Sequence, residues 1–176
     1  MEATSGIKTK TLVIMALLIG LSFVGSHFRV IGSIGFDSLP AFLAALMFGP
    51  AIGAVIGFIG HLFTAIMSGF PLSIPIHIVT AVSMAITMLG FGYTYRLLNT
   101  IPIVPRLTIT GIIGVVLNVP VSLLITMGVM TLIDGSEAAI ALWATLLPFL
   151  TPIAAANVFL SILLYKALDK VGADFT

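Results

Sequence analysis

The sequence predicts an all-α integral membrane protein with six transmembrane helices and both termini in the cytoplasm. Three observations predict it. The 176-residue chain is 60% hydrophobic and only 7% charged, with a mean hydropathy of +1.28, whereas a soluble domain carries roughly 25% charge. The charges stand between long uncharged runs. When six spans are drawn, nearly all Lys and Arg fall on one side of the membrane. Seven basic and six acidic side chains are too few to cover a water-soluble globule of this size. The net charge of +1 provides no basic field for nucleic acid. The chain has no cysteine, which removes disulfides, thiolate metal sites and thiol nucleophiles together.

The spans follow from the gaps between charges. Residues 11–28 are uncharged and form the first helix. The next uncharged stretch, Ser38 to Tyr95, has 58 residues. As one helix it would reach ~87 Å, nearly three bilayer cores. Breakers divide it at Gly49-Pro50 and across Ser68–Pro75, giving spans near 38–49, 50–68 and 75–95. The first of these is short for an upright crossing. It either crosses tilted or enters the membrane after an irregular segment. Residues 107–133 and 138–165 supply the fifth and sixth helices. Met1–Thr9 is too polar for a signal peptide. With the N-terminus inside, Lys8, Lys10, Arg96, Arg106, Lys166 and Lys170 all lie inside and only Arg29 outside. The whole of 1–176 reads as one domain in the cell membrane.

Small residues mark close approaches between helices. Gly49, Gly53, Gly57 and Gly60 share a face of helix 3, suited to packing within the bundle. Ala16 and Gly20 form a second small face on helix 1, open to the bundle or to a partner subunit. Pro120 on helix 5, and Pro148 and Pro152 on helix 6, free backbone carbonyls inside apolar runs. Such groups need protein, water or ligand to satisfy them in lipid.

Polar residues within an apolar bundle are candidates for function. His61 is deep in helix 3, His77 lies near the outer end of helix 4, and Asn118 is mid-helix 5. Asn157 on the inner half of helix 6 reads as interhelical glue. His27 and Arg29 close helix 1, with Asp37 in the loop that follows. Trp143 is placed near the outer end of helix 6, as a belt residue or a stacking platform. Arg29 is equally placed to snorkel. His27, Arg29, Asp37, His77 and Trp143 gather at the outer end, which predicts a polar pocket opening outward. There is no phosphate-binding loop, no HExxH and no GxSxG, and all six acids fall in termini or loops. The expectations are no enzyme activity, no cofactor and no metal.

The run Phe48-Gly49-Pro50-Ala51-Ile52-Gly53-Ala54-Val55-Ile56-Gly57-Phe58-Ile59-Gly60-His61 resembles the Gly-Pro-x-x-Gly-x-x-x-Gly-x-x-Gly-Asp run of substrate-binding S components of energy-coupling factor (ECF) type vitamin importers. His61 stands where many members carry Asp. Ala16-Leu17-Leu18-Ile19-Gly20 resembles their Ala-x-x-x-Ala docking face. The resemblance covers nearly the whole chain. It implies a transmembrane T component and two cytoplasmic ATPases as partners, docked through Ala16 and Gly20. It implies an outward site closed by the helix 1–2 loop, and release by toppling in the membrane. It points to Arg29 and Asp37 on the lid side and His77, Asn118 and Trp143 on the helix side, with His27 and His61 close by. A neutral aromatic nucleoside, α-ribazole (a cobalamin precursor), is the expected ligand, and pantothenate or another carboxylate vitamin is second. An autonomous carrier or channel, and an intramembrane enzyme built on His61, are the competing readings.

Overall fold

The computed structural model describes residues 9–31 and 34–172, and the side chains of all of these except residues 29–31 and 34. Among the described residues the chain forms six helices and one small hairpin. Helix α1 spans Thr9–Gly25. The hairpin pairs β1 (Arg29–Ile31) with β2 (Ile34–Gly35), antiparallel. Helices α2 (Leu39–Met47), α3 (Pro50–Met67) and α4 (Ile74–Leu97) follow. Helix α5 (Ile103–Asp134) contains a π turn at Leu117–Val121, and α6 is Ser136–Lys170. Four helices, α3 to α6, are long and apolar enough to cross a membrane, and α1 is a shorter apolar helix.

The expected second span is shorter than drawn. Helix α2 has nine residues, a length of ~13.5 Å against a hydrocarbon core of about 30 Å. Alone it is too short to span, and non-helical residues 36–38 precede it. Pro40 to Leu46 are all buried, so α2 is a short core helix surrounded by other helices. Phe42 meets Phe91 of α4 edge to face, ring centroids 4.9 Å apart. The turn into α3 needs Gly49, whose φ of +102° is closed to other residues at ordinary cost. Pro50 then starts α3, where its missing N–H costs nothing.

The glycine face of α3 packs inside the bundle. A Cβ on Gly53 would come within 2.6 Å of the Ala45 Cβ on α2, and one on Gly60 within 3.1 Å of the Ser22 Cβ on α1. The segment before α2 is held as closely. A Cβ on Gly25 would lie 2.6 Å from the Phe36 carbonyl oxygen. Residues 35–38 are thus wedged between α1 and α3, and Asp37 is buried. Non-helical backbone at this depth is tolerated because protein surrounds it.

The helices also run further than the uncharged windows. Asp134 ends α5, Glu137 lies in the first turn of α6, and Asp169 and Lys170 lie in its last turn. Helical backbone continues past the apolar stretch because chain ends of a span can stand in water. These acids are therefore helix-terminal, not loop, residues.

At the other end of α4 a clamp joins three helices. The Tyr95 and Tyr165 hydroxyls share a hydrogen bond of 2.8 Å. Arg106 Nε donates to the Tyr95 carbonyl at 2.7 Å, and its guanidinium stands 3.6 Å from the Tyr95 ring centroid.

Candidate substrate cavity

A cavity of about 90 Å³ lies between the 35–38 segment and helices α3 to α6. Each element contributes by its own period. On α4, His77, Thr80 and Met84 face it at i, i+3 and i+7. On α5, Asn118, Ser122 and Thr126 recur every four residues, with Leu123 beside them. On α6, Leu146, Leu150, Ile153, Ala154 and Asn157 share one face. His61 enters from α3, Leu72 from the α3–α4 connection, and Gly35, Asp37 and Ser38 from the wedge segment. The result is a polar wall opposite an aliphatic one.

The π turn positions the α5 contribution. Pro120 has no N–H to continue the ladder, and the turn widens around it. Asn118 sits within this turn and lines the cavity. The α6 prolines differ. Pro148 and Pro152 are exposed and lie off the cavity-lining face.

The polar wall is a connected chain. Thr64 Oγ1 donates to Asp37 Oδ2 at 2.7 Å. His61 Nδ1 stands 4.0 Å from the same oxygen. His61 Nε2 lies 3.3 Å from His77 Nδ1, with the rings stacked at 5.5 Å. Asn157 Nδ2 donates to the Gly35 carbonyl at 3.1 Å and so ties α6 to the hairpin. Two buried atoms of lining residues, His77 Nε2 and Asn157 Oδ1, have no hydrogen-bond partner. Asp37 lies before α2, outside the spanning helices. Burial pushes its carboxyl up to about 6, against the pull of Thr64 and of the backbone N–H groups of residues 37 and 38.

The structure brings together Asp37, His61, His77 and Asn118 from the residues the sequence singles out. It leaves others apart. His27 is exposed, its Nδ1 3.0 Å from the Phe23 carbonyl and its ring edge-on to Phe23. Trp143 packs with Leu146, Leu147 and Leu150 against Val119, Leu123 and Ala154, behind the aliphatic wall and not on it. Arg29 is in β1, and its side chain lies outside the described residues. Ala16 and Gly20 are exposed on α1, with open space around Gly20.

Asn157 is the main addition. It reads from sequence as glue between helices, and it does hold the hairpin, but it also lines the cavity and its side-chain carbonyl is buried without a partner. Thr64, Thr80, Ser122 and Thr126 were equally unmarked. The four-residue spacing of Asn118, Ser122 and Thr126 in an apolar run was the available signal. Among the described residues no group of three His, Cys, Asp or Glu is arranged to hold a metal ion.

No curated protein and no solved structure matches the chain. Residues 10–168 match the family described as ECF transporter, substrate-specific component. That match takes in all six helices except the first residue of α1 and the last two of α6, and with them every residue that lines the cavity. The chain belongs to the substrate-specific components of ECF transporters.

Proposed function

We propose that this protein captures a neutral aromatic nucleoside, with α-ribazole the best candidate, in the cavity between the 35–38 segment and helices α3 to α6. Substrate-specific components are the binding subunits of membrane transporters and not enzymes. Their T component and ATPases supply the energy that this chain lacks.

One observation carries the assignment of the site. Two polar atoms, His77 Nε2 and Asn157 Oδ1, are buried without partners on residues that line this cavity. Buried polar atoms are normally satisfied, and a ligand in this cavity would satisfy both. The aliphatic face of α6 would take the flat ring, and Asn118 and Asp37 would reach the sugar hydroxyls. At about 90 Å³ the cavity is smaller than the roughly 300–1,000 Å³ of sites for drug-sized ligands. Binding therefore widens it, and the parts not held by a continuous helix are the 35–38 segment and the α3–α4 connection at Leu72.

Delivery would use the exposed Ala16–Gly20 face of α1 as the docking surface for the T component. Small residues there allow another helix to approach closely.

The test is titration of the purified chain in nanodiscs with α-ribazole. Binding by the wild type, weakened roughly 5–30-fold in His77→Ala and in Asn157→Ala, is the expected result, since each loses about 1–2 kcal/mol of hydrogen bonding. Unchanged affinity in both variants would place the site elsewhere.

A further inference from the structure

We infer that this cavity accepts only ligands that bring at least two N–H or O–H donors and no negative charge, because the Asp37–His61–His77 chain and Asn157 leave unpartnered hydrogen-bond acceptors on residues that line it. The inference rests on the cavity being the substrate site.

The argument starts at Asn157. Its side chain meets the Gly35 carbonyl, which can only accept. The amide nitrogen must therefore face Gly35, and the carbonyl oxygen is the atom left without a partner.

The histidine pair is read the same way. His61 Nε2 and His77 Nδ1 are 3.3 Å apart, so one of the two carries a proton and the other does not. His61 Nδ1 faces Asp37 Oδ2 at 4.0 Å. At 4.0 Å the two groups are not hydrogen-bonded, and a neutral His61, which carries one ring proton, is oriented by the carboxylate's field alone. The carboxylate then draws the single proton of His61 to Nδ1, and leaves Nε2 as a lone pair. His77 must donate from Nδ1 to that lone pair. Its Nε2, the orphaned atom, is then an acceptor.

The rest of the wall agrees. Thr80 and Thr126 spend their only proton on the carbonyls of Ile76 and Ser122, at 2.9 and 3.0 Å. The donors that remain, on Asn118, Ser38 and Ser122, are neutral. No Lys or Arg is among the described residues lining the cavity. An anion would meet the Asp37 carboxylate and two lone pairs, with no cation among the described lining residues to offset them.

Two measurements test this, one of which needs no ligand. Nitrogen-15 NMR of the ligand-free full chain, labelled at histidine, should show His77 Nε2 unprotonated and His61 protonated at Nδ1. In Asp37→Asn the carboxylate charge is gone while the amide oxygen still accepts from Thr64, and the preference of His61 for a proton at Nδ1 should weaken. A protonated His77 Nε2 in the wild type would overturn the inference. The second measurement is binding of matched pairs that differ mainly in charge, namely α-ribazole and its 5′-phosphate, pantothenol and pantothenate, and nicotinamide and nicotinate. In every pair that binds, the neutral member should bind at least tenfold more tightly. An anion that binds more tightly than its neutral partner would overturn the inference. If α-ribazole fails while another neutral member binds, the nucleoside reading falls and the acceptor wall stands. If nothing binds, the NMR result decides alone.

Discussion

Asp37 shows how much a single residue can depend on what folds over it. From sequence it is a loop carboxylate at the outer end, one of the residues that predict a pocket there. In the structure residues 35–38 turn inward, and the carboxyl meets Thr64 and His61. Its value rises from 3.8 to about 6 because burial disfavours the charge. The folded chain therefore holds this proton more tightly than the unfolded chain. Stability from this group is greatest below pH 4 and falls as the pH rises through 6. Asp37→Asn removes the dependence. Its melting temperature relative to wild type should rise between pH 4 and pH 7, by the equivalent of roughly 3 kcal/mol at most. A flat difference across that range would mean that Asp37 is solvated. Thr64→Val should cost about 1–3 kcal/mol, because it strips a donor from a buried carboxylate. Thermal unfolding in detergent would read both.

At the scale of elements, the two small-residue faces are expected to separate by role. Gly53 is covered by Ala45, whereas Gly20 meets open space. Gly53→Leu should disrupt α2–α3 packing and lower folded yield. Gly20→Leu should leave folding and ligand affinity within about twofold and abolish uptake in cells that hold the T component and ATPases. Loss of affinity in the second variant would contradict the docking role. Helices α3 to α6 were legible because charges and Gly/Pro pairs bound long apolar runs. The nature of α2 was not. Its apolar residues are the same types that face lipid elsewhere, and hydropathy does not distinguish burial in protein from burial in bilayer. The hairpin was hidden for a related reason, since two short strands carry no periodicity to detect. The cavity was half legible. His61, His77 and Asn118 announce themselves as polar groups in apolar runs. Asn157 did as well, but its depth suggested packing, and only its bond to Gly35 reveals which end of the amide is free.

At the scale of the whole molecule, the topology and the dependence on partners are both open to measurement. The chain has no cysteine, so single-cysteine labelling is free of background. Cysteine at Ser136 should react with an impermeant maleimide on intact cells, and cysteine at Thr100 only after lysis. The reverse would invert the orientation that Lys and Arg predict. Proteoliposomes with this chain alone should bind ligand and show no uptake. Flux without partners would restore the autonomous carrier.

The tyrosine clamp has a mechanical consequence. Tyr95, Tyr165 and Arg106 pin α4, α5 and α6 together, whereas the cavity-facing residues of α4 begin 18 positions earlier, at His77, ~27 Å along the helix. The three helices are a pair of tongs with a riveted heel. Spreading them to admit a ligand is a rotation about that heel, so the displacement grows toward the tips. Spin labels near Ile74 and Glu137 should move apart on ligand binding, and labels near Leu97 and Lys166 should hold their distance. Breaking the rivet with Tyr165→Phe should let the tips wander without ligand, and broaden the first distance distribution before the second.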